Sequence, residues 1–248
     1  MRRLVISLIA IVILAAVPAL AADDVKTIEQ RATSAAAAKN WPEAQHHFKQ
    51  LVALQPGRWD FQKGLAEAES NQGHFQEAVA AFDAAIALAK KSAVGAEADS
   101  NAAKTALGAM LAGKGFALLR LQRLPEGFSV FEEAAKSDPS PTSYFNLCAV
   151  AYNVGAVRDA GTARVVGYCD KAIELNPNKA DAYYIKGSLL LGDAKVVNGK
   201  MVAPAGTAEA FNTYLALAPN GAHAAEVKQM LGSIGSEVET TSEPKNRK

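Results

Sequence analysis

Cysteine, histidine, methionine and aromatic residues are all scarce in this 248-residue chain, at two Cys, four His, four Met and 7% aromatics. So little aromatic content beside abundant alanine argues against a β-sandwich and for close-packed helices. There is no C-x-x-C, which removes thiol–disulfide redox catalysis. There is no G-x-S-x-G, H-E-x-x-H or P-loop either, so the usual signatures of hydrolases, zinc proteases and nucleotide-binding folds are missing. Charge of one sign is also lacking. The formal net charge is +1, falling to −1 without Arg2 and Arg3, and no block of like charge precedes the short tail. Such a balance carries no field that would draw in nucleic acid or an anionic membrane.

The ionisable residues that are present do not form a chemical site. His46 and His47 are adjacent, so on a helix they point apart and cannot share a metal as an i, i+4 pair does. His74 falls in a turn and His223 near the start of the last helix, and all four read as solvated histidines. Gly113-Lys114-Gly115 lies inside a helical pattern, where glycine serves close packing better than phosphate binding. The acidic pairs Asp23-Asp24 and Glu132-Glu133 offer no acid–base geometry. No metal, no cofactor and no enzyme activity are expected.

The one long apolar run is N-terminal. Arg2 and Arg3 precede Leu4 to Val17, Pro18 breaks the run, and Ala19-Leu20-Ala21 places small residues where a signal peptidase reads. Residues 1–21 are therefore predicted to be a signal peptide cleaved after Ala21, giving a periplasmic or secreted chain with no membrane attachment after cleavage. The alternative is an uncleaved anchor, because the run approaches the ~20 residues that span a bilayer.

Internal repetition organises the rest. Trp41, Ala44 and Phe48 recur as Phe75, Ala78 and Phe82, each displaced by 34 residues. Leu124 to Pro139 repeats the pattern with Gly127, Phe131 and Ala134, and Tyr144, Leu147 and Cys148 lead a further unit that ends with Ala172 and Pro177. Tyr183 and Gly187 begin another, closed by Ala210 to Pro219. An alanine lets two helices approach, and an aromatic one turn later fills the gap beside it. The period and the A-x3-F spacing resemble the tetratricopeptide repeat family. That resemblance implies an all-α, right-handed solenoid of about five helix pairs over residues 22–236, closed by a terminal helix from His223 to Ile234. Eleven helices are expected in all. Lys90 stands where a closing proline is usual, so the helix before it should continue.

Two insertions depart from the repeat. Ser92 to Asn101 reads as a linker, and Gly155 to Thr162 lengthens a turn. Near residues 195–203, Asn198-Gly199 between valines is a hairpin signal, because both turn residues need positive φ. A lone hairpin is marginal, so its apolar face is expected to lean on neighbouring helices. Residues 237–248 are polar and are expected to be disordered.

In the repeat register Cys148 occupies the small-residue place of a first helix and Cys169 the facing place of its partner. In an oxidising compartment that placement predicts a Cys148–Cys169 disulfide, closing a loop of about 20 residues and adding about 3 kcal/mol. Two buried thiols are the alternative.

The resemblance also implies that first helices line a concave groove that holds peptides or protein segments. The faces left free by packing would present Lys63 and Asn71, then Phe116 and Arg120, then Phe145, Tyr152 and Asn153, then Tyr184. Each aromatic has an alternative place in the core between repeats. Glu29 and Thr33 do not complete the Lys/Asn carboxylate clamp of some family members. The expected function is a scaffold that binds a protein or peptide, with envelope assembly suggested by analogy of fold alone. A module for a peptide or glycan ligand, and an enzyme with an unrecognised site, are the other readings.

Overall fold

The computed structural model describes residues 20–92, 100–155 and 161–234. The predicted signal peptide falls almost wholly outside them, as do residues 237–248 and most of both expected linkers. Helix α1 begins at Leu20, so the predicted cleavage point lies in its first turn.

Eleven helices and one hairpin follow in order among the described residues. They are α1 (Leu20–Ala37), α2 (Trp41–Leu54), α3 (Trp59–Asn71), α4 (Phe75–Ser92), α5 (Asn101–Arg120) and α6 (Leu124–Ser137). Then come α7 (Pro141–Asn153), α8 (Thr162–Leu175), α9 (Ala180–Gly192), β1 (Lys195–Val197), β2 (Lys200–Val202), α10 (Thr207–Leu217) and α11 (Ala224–Ser233). The helices pair as α1/α2, α3/α4, α5/α6, α7/α8 and α9/α10, with α11 closing the stack against α10. This is the all-α solenoid that the repeat predicts, and α4 runs through Lys90 to Ser92. No described helix is long and apolar enough to cross a membrane.

One contact recurs through the stack. Phenylalanine rings of second helices lie on glycines of first helices so closely that a Cβ there would collide. At Gly64 it would sit 2.3 Å from Phe48, at Gly113 2.4 Å from Phe82, at Gly115 2.7 Å from Phe131, and at Gly187 2.6 Å from Phe211. Gly113 and Gly115 are two residues apart, about 200° around a helix, and so take rings from opposite neighbours. The Gly113-Lys114-Gly115 run is thus a packing device, with Lys114 paired to Asp83 at 2.6 Å. In the fourth pair the two positions hold Cys148 and Cys169, both fully buried and joined as a disulfide with a Cα–Cα distance of 5.0 Å. A covalent bond there replaces the ring.

The turns repeat as well. Lys39, Gly73, Gln122 and Gly155 occupy equivalent turn places, and all have positive φ, at 58°, 83°, 61° and 66°. The next amide reaches back to close the preceding helix: Asn40 to Ala35 O, His74 to Glu69 O and Arg123 to Leu118 O, at 2.8–3.0 Å. These bonds satisfy carbonyls that a helix end otherwise leaves open.

The hairpin forms as expected, with Val197 opposite Lys200 and the turn at Asn198 (φ 51°) and Gly199 (φ 74°). Its expected burial is overturned. Val196, Val197 and Val202 are 56%, 49% and 50% exposed, and only Met201 turns towards a helix, its sulfur 3.7 Å from the Ser233 hydroxyl. Of the two side chains on that face, Val196 and Met201, Met201 alone is partly buried.

Reducing the Cys148–Cys169 bond is expected to cost about 3 kcal/mol, the loop-closure entropy of its 21-residue separation. Denaturant melts with and without reductant measure this directly. Cys148→Ser with Cys169→Ser should match the reduced chain.

Candidate functional site

First helices approach one another across the stack: α3 touches α5, α5 touches α7, and α7 touches α9. Contacts of that extent are absent between successive second helices among the described residues. The first helices therefore form the shorter, inner wall of the curve, as stacked helix pairs require.

At the N-terminal end this wall holds a cavity of about 380 Å³. Phe48, Phe61, Trp41 and Trp59 provide its apolar lining, with Phe48 seated directly on Gly64. The rim is charged and internally paired. Arg58 grips Asp60 with two bonds of 2.8 and 2.5 Å and reaches Glu29 at 3.5 Å, while its guanidinium lies 4.1 Å above the Phe61 ring. Burial alone would raise the Asp60 pKa, but Arg58 outweighs it and holds the carboxyl below its ordinary value. Lys63 meets Glu67 at 2.5 Å, and the Asn71 amide donates to the Glu67 carbonyl at 2.8 Å. Lys63 and Asn71 are thus on the inner helix as expected, each already engaged within α3.

In the middle of the wall the placement is open. Phe116 is 47% exposed, its ring meeting Phe131 edge-on at 4.8 Å. Arg120 is exposed one turn later, its guanidinium 5.2 Å above the Phe75 ring. An aromatic face and a cation on an aromatic base stand side by side.

Towards the C-terminus the expected residues divide. Phe145 is half-buried beneath the Lys179 ammonium at 4.1 Å, and Asn153 donates to the Ala149 carbonyl at 2.7 Å. Tyr152 is half-buried beside Tyr184. Tyr184 does not present itself to a partner, contrary to the groove expectation, for it is only 7% exposed. His223 stacks on its ring at 3.8 Å and 7°, and its hydroxyl donates to Glu226 at 3.1 Å. Helix α11 has covered it, and that burial, followed by Tyr152 and Glu226, raises its pKa. His223 thus packs one face of its ring on the cap while over a third of its side chain stays exposed, and its backbone amide donates to the Tyr214 hydroxyl at 2.9 Å.

Sequence reasoning missed Trp59, Trp41 and Phe61 as cavity residues, and Phe75 as the base beneath Arg120. Trp59 opens α3, ahead of the positions that the repeat motif uses. Among the described residues no cluster of His, Cys, Asp or Glu could hold a metal.

Under the inner wall, Glu69 is a buried carboxylate, 3% exposed. It ties α3 to α2 through Lys49 at 3.1 Å and to the following turn through His74 at 2.8 Å. Burial would raise its pKa, but hydrogen bonds from Gln45, His74 and Lys49 prevail and lower it.

Residues 30–93 match the tetratricopeptide repeat family model. No curated protein sequence matches significantly. Solved structures do. A crystal structure of YrrB, described as a TPR protein with an unusual peptide-binding site, superposes with a TM-score of 0.58 at 14% identity, over 80% of this chain and 88% of that one. MamA from Desulfovibrio magneticus RS-1 gives 0.59 at 18% identity, over 81% and 98%. PilF of Pseudomonas aeruginosa gives 0.58 at 15% identity, over 86% and 89%. Likeness at such identity is a likeness of fold.

Because the Glu69 pKa is lowered on folding, its contribution to stability is present above the unfolded carboxyl value and is lost as pH falls through the folded one. Glu69→Gln should cost about 2 kcal/mol at neutral pH. The gap in melting temperature between variant and parent should close as pH falls through the acidic range, which a pH series of thermal melts would record.

Proposed function

We propose that the chain is a tetratricopeptide-repeat protein whose inner wall binds an extended segment of a partner protein, and that it works as an interaction scaffold, exported across the inner membrane, rather than as an enzyme; the family-model match over residues 30–93 and the solenoid fold support this. The observation that carries this reading is the pair Phe116 and Arg120. A large ring that leaves nearly half its surface in water beside a cation already seated on an aromatic base is the combination that dominates interface energy. The cavity beside Trp59 adds a second place, with room for one or two side chains of an extended segment. The charges of its rim are paired among themselves, which favours a segment anchored by apolar side chains over one held by its terminal carboxylate. YrrB, a similar solenoid, has a peptide-binding site. Export is supported by the basic n-region, apolar run and small-residue cleavage pattern of residues 1–21. It is supported also by a disulfide buried in the fourth pair, a bond that persists in oxidising compartments.

Phe116→Ala with Arg120→Ala should weaken capture of the physiological partner by more than about tenfold, because truncating central anchors costs ~2 kcal/mol or more. The melting temperature should fall only modestly, since Arg120 is exposed and Phe116 leaves nearly half its surface in water. Crosslinking and affinity capture from the native envelope, with parent and variant compared, test it; unchanged capture would remove the groove from the mechanism. Export is checked separately by mass spectrometry of the purified protein, which should begin at Ala22.

A further inference from the structure

The hairpin is a surface that the helical repeat does not use. Among the described residues each strand pairs only with the other, so each also has an outward edge of backbone groups outside the ladder. The register places Lys195, Val197, Lys200 and Val202 on one face and Val196 with Met201 on the other. Its three valines are each about half exposed, and the stretch from Lys195 to Gly206 contains two lysines and no acid. Among the described residues neither lysine enters an ion pair. The positive-φ turn at Asn198 and Gly199 holds the edges ready before anything binds.

We propose that this hairpin is a second docking surface, which takes an extended acidic segment of a partner protein as an added strand. Added along the outer edge of β1, that segment would set acidic residues at alternate positions beside Lys195 and Val197, on the face where Lys200 stands diagonally across from Lys195, and its apolar residues on the Val196 face. Three occupants compete, and the chemistry separates them. A second copy of this chain would set lysine against lysine, the arrangement by which natural sheet edges avoid self-pairing. A lipid surface would suit valine and lysine but would leave the outward N–H and C=O groups without partners in an apolar medium. A strand added along β1 pairs the outward groups of that edge and brings its acidic side chains to the face that carries both lysines.

The test uses the full mature chain and a capped peptide of about eight residues alternating glutamate and valine. Binding is expected, with slowed hydrogen exchange at the amides of β1 and β2. Lys195→Glu with Lys200→Glu should weaken it about tenfold without lowering the melting temperature, and a lysine–valine peptide should restore it by charge exchange. Phe116→Ala should leave it unchanged, which separates this surface from the groove. The proposal fails if no binding occurs, if the parent takes the lysine–valine peptide equally well, or if an N-methylated peptide without edge donors binds undiminished. Saturable binding to phosphatidylglycerol vesicles that the peptide does not displace would assign the hairpin to lipid instead. A dimer that the peptide dissociates would assign it to a second copy. Binding that appears only after Glu237→Lys with Glu239→Lys would make the chain's own Glu237-Val238-Glu239 the occupant, and would equally overturn a partner in trans.

Discussion

The solenoid depends on one contact, an aromatic ring lying on a helix backbone where no side chain intervenes. Phe48, Phe82, Phe131 and Phe211 are nearly or wholly buried, and each owes its place to a glycine across the helix pair or between pairs. Removing a Cβ costs helix propensity of roughly 1 kcal/mol. Burying most of a phenylalanine side chain contributes more than that, ~1.5–3 kcal/mol. The exchange is favourable at each step, and it fixes how close the helices come. Helix α5 shows it best, with Gly113 and Gly115 on opposite sides receiving rings from α4 and α6. Where the fourth pair gives up both glycine and ring, a disulfide holds the same two backbones at the same approach.

That close approach also decides what the inner wall can offer. Rings drawn between helices are not available outside, so an exposed aromatic on a first helix is a ring the core did not take. Phe116 is such a residue. It is the neighbour of Gly115, whose missing side chain gives Phe131 its seat, and Phe116 then lies edge-on over that same ring. Packing and binding thus meet on adjacent residues. The N-terminal cavity adjoins another such contact, since Phe48 on Gly64 lines it together with Trp59 and Trp41. Its carboxylates are neutralised locally by Arg58 and Lys63, so the wall there presents aromatic surface more than net charge.

Much of this was legible because it is local. A 34-residue period needs only a few side chains to be seen, and Cys148 and Cys169 could be placed through it. The Asn198-Gly199 turn declares itself within two residues. What was not legible depends on residues far apart in sequence. Tyr184 is core because His223 and Glu226, about 40 positions later, fold back onto it. The hairpin valines are about half exposed, and the contact that ties the hairpin to α11 runs through Met201 and Ser233, over 30 positions apart. Trp59 precedes the motif positions, so the repeat gave no reason to single it out. The equivalent turns escaped notice for another reason. Two of the four place Lys39 and Gln122 where glycine would announce a left-handed residue, and their neighbours' bonds to the preceding helix hold them there.

The position of the disulfide gives the stack a direction. Units that touch only their neighbours form a one-dimensional chain, in which order is lost most readily at a free end. The first pair has a neighbour on one side only. The fourth has its two helices covalently tied, and its cysteines share one core with Tyr184, Phe211, Tyr214 and Val227 of the helices that follow. Along such a one-dimensional chain, loosening that starts at α1 meets its first covalent tie at the fourth pair.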